Sequence, residues 1–269
     1  MAATVATPAE VQAVQEFNSE LRLVGRKGMA AAKIQWARSH YPEVLPDTDS
    51  QLQAVPYPHP NSVRYFALAL RAQGGRTPEG STFLPHADLV RIAAEATAQI
   101  QELCTGSRWY VNPAETLHVS LFHTGRPDEP RVLSKAAIQE EIDTCRLLFG
   151  LLPCVELTVD GFALADSGVL LLLYTPVSDK ACLDRGHCGS VDHVRSRCRE
   201  AFPHAPRRQT TTIIHTSLAR LIAPENLPEE QLNAVEEACH RAAERVRGKR
   251  VRFDTVWFVE EAISLACMG

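Results

Sequence analysis

The chain has 269 residues, of which 45% are hydrophobic and 22% charged, and its formal net charge at pH 7 is −4. This composition is ordinary for a globular protein with a core of its own. The slightly acidic balance argues against a general polyanion-binding surface, because sequence-independent binding of DNA or RNA depends on clustered positive charge. A small phosphorylated ligand or the end of an RNA strand remains compatible with it. We expect no DNA partner, and we expect a monomer.

The segment before Phe17 has neither a basic n-region nor a long apolar run, so no secretory signal is indicated. The most apolar stretch, residues 168–174, has the length of a strand, and no membrane span is predicted. The eight cysteines are scattered without a tight framework. Reduced thiols in a cytoplasmic or nuclear protein are the simplest account of them.

Residues 1–60 are predicted to form an N-terminal helical extension followed by a proline-rich loop. A helix over residues 8–38, interrupted at Gly25 or Gly28, is indicated by apolar residues at spacings of three and four: Val11, Val14, Phe17, Leu21 and Val24. Five prolines between residues 42 and 60, together with Asp, Ser and Asn, predict a connecting loop.

Residues 61–269 are predicted to form one α+β domain in which the order of elements is partly repeated. Its predicted strands cover residues 62–71, 109–111, 117–122, 154–162, 168–175, 208–221 and 251–259, with a short additional one at 263–266. Its predicted helices cover residues 84–103, 135–148, 179–201 and 228–246. The order of elements places one helix before and one helix after each of two strands that contain histidine.

These two strands each carry an imidazole and a hydroxyl two residues apart. Side chains alternate between the faces of a strand, so His118 and Ser120 share one face of the first. In the second, His215 and Ser217 repeat the arrangement. The two histidines are 97 residues apart, at positions 118 and 215, which is too far for a local motif. The repetition indicates two matching halves of one fold.

Two imidazoles that face one cleft are suited to act as a general base and a general acid, since histidine titrates near neutrality. Cleavage of a phosphodiester needs both, one to take a proton from the attacking oxygen and one to protonate the leaving oxygen. Ser120 and Ser217 can donate hydrogen bonds to the non-bridging phosphate oxygens. No aspartate lies near either motif, whereas two-metal phosphoesterases rely on carboxylates. We therefore expect neither a metal nor a cofactor.

The two His-x-Ser-apolar motifs, in this order of elements, resemble those of the 2H phosphoesterase superfamily, whose pattern is His-x-Thr/Ser-apolar, occurring twice. The family includes RNA 2′,3′-cyclic phosphodiesterases. The resemblance covers roughly residues 60–269 by element order and eight motif positions by residue type. Both hydroxyl positions hold serine where threonine is commoner in the family, and serine is freer at χ1 than a β-branched residue.

This resemblance implies a two-lobed, pseudo-symmetric fold in which two small antiparallel sheets, with helices outside, face each other across a cleft. It also implies that His118 and His215 are catalytic and that Ser120 and Ser217 bind phosphate. The implied reaction is metal-independent hydrolysis of a 2′,3′-cyclic nucleotide or of an RNA cyclic-phosphate end. Which histidine is the acid stays open.

Four further residues are candidate substrate contacts: Phe122, Tyr65, Trp257 and Arg220. On a regular strand Phe122 shares the His118 face, where it would stack on a base or else pack in the core. The two other aromatic residues would line the cleft or pack, and Arg220 would approach phosphate or form a solvated ion pair. His123 is expected to face away from His118 and to be structural.

Other functions remain open. A non-catalytic nucleotide- or RNA-end-binding module on the same fold is the main alternative. A zinc site or a redox-sensitive pair is a weaker one, because the spacings of the residues concerned match no standard motif: Cys182, His187, Cys188, His193 and Cys198. The basic run over residues 241–252 would guide an RNA strand or be a solvated helix end.

Overall fold

The computed structural model describes residues 4–40, 56–57, 59, 61–71, 83–150, 154–207, 209, 212–263 and 266–268. Most of the predicted proline-rich loop lies outside these residues. The helices are α1 Pro8–Arg26, α2 Ala31–His40, α3 His86–Leu103, α4 Lys135–Gly150, α5 Ala181–Asp184, α6 Val191–Ala201 and α7 Glu229–Glu244, with a 3₁₀ turn at Ala114–Thr116. The strands are β1 Val63–Ala69, β2 Arg108–Val111, β3 His118–Gly125, β4 Val155–Leu164, β5 Val169–Pro176, β6 His215–Ala223, β7 Arg250–Phe253, β8 Val256–Ile263 and β9 Ala266–Met268.

The strands form two antiparallel sheets, which confirms the predicted α+β class with two lobes. Sheet 1 has the order β3-β1-β8-β9, and sheet 2 has the order β2-β6-β5-β4-β7. Each motif strand therefore belongs to a different sheet. The predicted last strand, 251–259, is in fact two strands, because the chain leaves sheet 2 after Phe253 and enters sheet 1 at Val256. Strand β2 is exchanged as well. It precedes β3 of sheet 1 in the chain, and yet it pairs with β6 of sheet 2.

The two lobes share one hydrophobic core. Helices α4 and α6 contact each other and pack behind sheet 1, and α3 and α7 do the same behind sheet 2. One large cluster of core residues extends through both lobes, and smaller clusters lie on the other face of each sheet. At the sheet 1 end of the large cluster, the ring of Phe66 lies 4.9 Å from that of Phe202 and 6.3 Å from that of Phe122. This contiguity fixes the lobes relative to each other through packed side chains.

The predicted N-terminal helix is confirmed as α1, and the predicted interruption follows it. Helix α1 ends at Arg26, and Gly28 has a φ of +118°, a conformation that side chains with a Cβ rarely adopt. The helix packs on β4 and β5 of sheet 2. Gly25 makes the close approach to the sheet achievable, because a Cβ at this position would lie 1.8 Å from the carbonyl oxygen of Leu164. In the described part of the chain, no helix combines the length and the apolar character that a membrane crossing requires.

Candidate active site

The two motif strands have the same irregularity at the same place. The register of β3 against β1 skips Leu121, which follows Ser120. The register of β6 against β5 skips Leu218, which follows Ser217. An additional residue of this kind is a β-bulge, and it shifts the alternation of side chains by one position. The repeat indicated by the sequence therefore extends to the backbone of both strands.

The bulge brings a third residue onto the face that carries the histidine and the serine. Residues 118–125 and 215–222 have identical burial patterns, with half-buried positions at the first, third and sixth residue. Those positions are His118, Ser120 and His123 in β3, and His215, Ser217 and Arg220 in β6. Strands β3 and β6 contact each other, so the two polar faces meet at the junction of the lobes.

The imidazole of His118 is held at both nitrogens. Its Nδ1 lies 2.8 Å from the carbonyl oxygen of Thr116, and because that oxygen only accepts, Nδ1 carries the proton. Its Nε2 lies 3.1 Å from the Ser120 hydroxyl and, in the neutral ring, accepts from it. Burial lowers the pKa of His118, and the Thr116 carbonyl partly opposes this shift. The free protein thus presents a neutral imidazole with a fixed tautomer.

The second histidine lies within electrostatic range of the first. The pKa of His215 is lowered to about 4, first by burial and then by the charges of neighbouring groups, with His118 the strongest of these. At neutral pH the two rings are therefore uncharged in the free protein. An anion bound beside one of these rings would raise the pKa of that ring, because a nearby negative charge favours the protonated form.

A buried arginine that the sequence did not indicate links β3 to the segment just before β6. Arg195 of α6 is 4% exposed, and its guanidinium donates to the carbonyl of Leu121 at 3.1 Å and to the carbonyl of Ile213 at 2.9 Å. The first acceptor is the bulge residue of β3, and the second lies two residues before His215. Burial lowers the pKa of Arg195 to about 10. This side chain is well placed to fix the spacing of the two histidines.

Of the four additional candidates, the structure contradicts the prediction for Phe122, while Tyr65 and Trp257 both line the site and pack there. Phe122 was predicted on the His118 face, and this is wrong, because the bulge turns its side chain into the core, where it is 1% exposed. Tyr65 is 3% exposed and contacts the ring of His118 at 5.3 Å, so it supports that ring from the side. Trp257 is half-buried and packs against Tyr65 and its neighbours on the site face of sheet 1.

The bulge also corrects the prediction for His123. This residue was expected to face away from His118, yet both rings contact Tyr65, that of His123 at 5.2 Å. The pKa of His123 is lowered to about 3 by burial and by the charges of Arg126 and His118. Arg220, the fourth candidate, takes the equivalent position in β6 and lines a cavity together with His215. The sequence did carry a signal for the bulge, since two consecutive apolar residues follow the serine in both motifs.

The cysteine and histidine cluster is not a metal site in the described residues, where no group of three or more potential ligands converges. His187 hydrogen-bonds Glu156 through Nδ1, and the Cys182 thiol donates to the His187 carbonyl at 3.3 Å.

The basic run over residues 241–252 is largely occupied by ion pairs. Arg245 lies 2.8 Å from Glu95, and Arg250 lies 2.6 Å from Asp179.

No family model matches the chain, and no curated protein matches it. Among solved structures it is similar to Usb1 of Kluyveromyces marxianus, at 12% identity and a TM-score of 0.47 over 78% of this chain and 97% of that one. The same protein with uridine monophosphate gives 13% identity and a TM-score of 0.46 over 77% and 97%. TT0787 of Thermus thermophilus gives 16% identity and a TM-score of 0.39 over 73% and 83%. By its own topology, the chain has the two-lobed α+β fold that its motifs predicted, with both His/Ser pairs where the lobes meet.

Proposed function

We propose that the protein is a phosphodiesterase that hydrolyses 2′,3′-cyclic nucleotides or RNA cyclic-phosphate ends by paired-histidine acid/base catalysis. One observation carries the proposal: the same bulged strand occurs twice, and the two copies lie in contact with His118 and His215 within electrostatic range of each other. A structural histidine needs only a local partner, whereas two imidazoles with adjacent hydroxyls supply the proton acceptor, the proton donor and the phosphate contacts of this reaction.

His118 is the proposed general base. With its proton on Nδ1, its Nε2 is free to take a proton from water once the Ser120 hydroxyl turns to the phosphate. The water oxygen then forms a bond to phosphorus, and the bond from phosphorus to one ribose oxygen breaks. His215, protonated when the phosphate anion is bound, gives its proton to that departing oxygen. Ser217 and Arg220 contact the non-bridging oxygens in this proposal.

A turnover screen tests the proposal. The substrates are 2′,3′-cyclic nucleotides, short RNAs with cyclic ends and 2′,5′-linked dinucleotides, each assayed with and without EDTA. We expect EDTA-resistant hydrolysis of a cyclic phosphate and a bell-shaped dependence of rate on pH. His118→Ala and His215→Ala are each expected to reduce kcat by about 10²- to 10⁴-fold, the usual contribution of a positioned acid or base.

Circular dichroism of the two variants controls for unfolding. Full activity in either variant would contradict the proposed roles. Binding of cyclic nucleotides without turnover would instead favour the alternative, a non-catalytic nucleotide- or RNA-end-binding module on the same fold.

A further inference from the structure

The N-terminal helix forms one wall of a cavity that opens onto the second motif. This cavity has a volume of about 410 Å³, which falls within the usual range for small-molecule sites of about 300–1,000 Å³. Its floor contains His215, Ser217 and Arg220 of β6, and its α1 wall contains Phe17 and Leu21. The cavity is thus continuous with the candidate active site, and sheet 1 has no equivalent of α1 on its site face among the described contacts.

Helix α1 is a fixed wall, because polar contacts hold it at several points along its length. Near its start, the Ser190 hydroxyl donates to Glu10 at 2.8 Å. In its middle, the buried Asn18 amide donates to Asp160 at 3.0 Å, and Arg22 pairs with the same carboxylate at 2.6 Å. A wall held in this way orders a ligand at little additional entropic cost.

The wall is apolar and acidic, which is the opposite of a phosphate site. Phe17 is 37% exposed, and Val24, which also lines the cavity, is 38% exposed. Glu20 adds a carboxylate that has no ion pair with any described residue, and Asp166 on the far side pairs with Lys33 at 2.7 Å. A second phosphate would be repelled here, whereas an uncharged aromatic group would stack on the Phe17 ring and accept the apolar surroundings.

We propose that this cavity is a nucleobase subsite, in which α1 binds the base of the substrate while His215, Ser217 and Arg220 engage its phosphate. The inference rests on the proposed function for the phosphate end of the site. It assigns to the N-terminal extension a direct role in substrate recognition. The specificity for nucleotides over other phosphate esters then comes from an element outside the repeated motif.

The experiment compares a 2′,3′-cyclic nucleotide with 1-O-methylribose 2′,3′-cyclic phosphate, which has the same reacting group and no base. We expect the wild-type protein to prefer the nucleotide. Phe17→Ala is expected to raise KM for the nucleotide about tenfold, the loss typical of one base–aromatic stack, and to leave the abasic substrate unchanged. Phe17→Tyr keeps the ring and should retain the preference.

Leu23→Ala is the matched control, because Leu23 lies on α1, is 53% exposed and does not line the cavity. Equal losses for both substrates, or no loss for either, would overturn the subsite. If the wild-type protein hydrolyses neither of these substrates nor an RNA cyclic-phosphate end, the proposed function fails. Whenever neither small substrate is hydrolysed, the subsite is judged by calorimetric binding of adenosine 3′-monophosphate. Weaker binding in Phe17→Ala and unchanged binding in Leu23→Ala would support it, and equal binding by all three proteins would reject it.

Discussion

Strand β3 forms the edge of sheet 1, where aromatic rings support its site face, whereas β6 lies inside sheet 2, where its site face borders the cavity beside α1. The two strands share a histidine, a serine and a bulge. They differ at the third position of that face, which is His123 in one and Arg220 in the other. In the proposed reaction, the shared residues supply proton transfer and phosphate contacts from both lobes. The residues that differ, together with the cavity beside α1, are proposed to determine which substrate is recognised.

The shared serines should be equivalent in function. Ser120→Ala and Ser217→Ala are each expected to lower kcat by about 10²-fold, since each removes one donor to the phosphate oxygens in the transition state. Steady-state kinetics on the cyclic nucleotide measures this effect. Ser120→Thr and Ser217→Thr keep the hydroxyl and should remain within a few-fold of wild type. A large loss in only one alanine variant would show that the lobes do not share the phosphate.

Substitutions of Arg220 and of His123, the residues that differ between the two site faces, should affect activity to different extents. Arg220→Gln is expected to lower kcat/KM about tenfold, because a hydrogen bond from a cation to phosphate is lost. His123→Gln should change it less, since the lowered pKa of about 3 keeps that ring uncharged at neutral pH. The comparison of kcat/KM between the two variants is the measurement. Equal losses would mean that His123 and Arg220 both contact the substrate.

Stability should fall in acid through His215 and His123, whose pKa values are strongly lowered by burial. His215 and His123 have folded pKa values of about 4 and about 3, below the ordinary value of 6.5, so the unfolded chain binds protons first. Their contribution to the free energy of unfolding is complete above pH 6.5 and is lost as the pH falls toward 4. Urea denaturation at pH 7.5 and at pH 5 measures this loss, and His215→Gln should reduce it. An unchanged pH dependence in that variant would contradict the lowered pKa of His215.

The alternation of side chains along a strand was sufficient to predict the shared faces of His118 with Ser120 and of His215 with Ser217. It could not predict the residues beyond the bulge, because an additional residue in one strand depends on its pairing partner. For this reason Phe122 and His123 were assigned to the wrong faces. In both motifs the consecutive apolar pair after the serine, Leu121–Phe122 in the first, marks the break in alternation.

Other parts of the site depend on contacts that no local pattern records. The apolar spacing of residues 8–26 predicted α1, but of that apolar face only Val14 is fully buried, while Phe17 and Val24 stay exposed. The sheet face on which the helix docks follows from tertiary fit, including the close approach at Gly25. Arg195 resembles any helix arginine in the sequence. Its role as a link between β3 and the segment before β6 appears only when α6 is packed against β3.

The exchange of strands between the lobes has a consequence for how the chain is made. In sheet 1, β1 lies between β3 and β8, and β8 spans Val256–Ile263. As the ribosome delivers the chain from its N-terminus, β1 and β3 are the only described strands of sheet 1 until β8 emerges, and a two-stranded ribbon by itself is at best marginally stable in water. The first histidine strand therefore lacks part of its sheet until the chain has been synthesised through Ile263. Premature termination before β8 is expected to leave both strands exposed to chaperones and proteases.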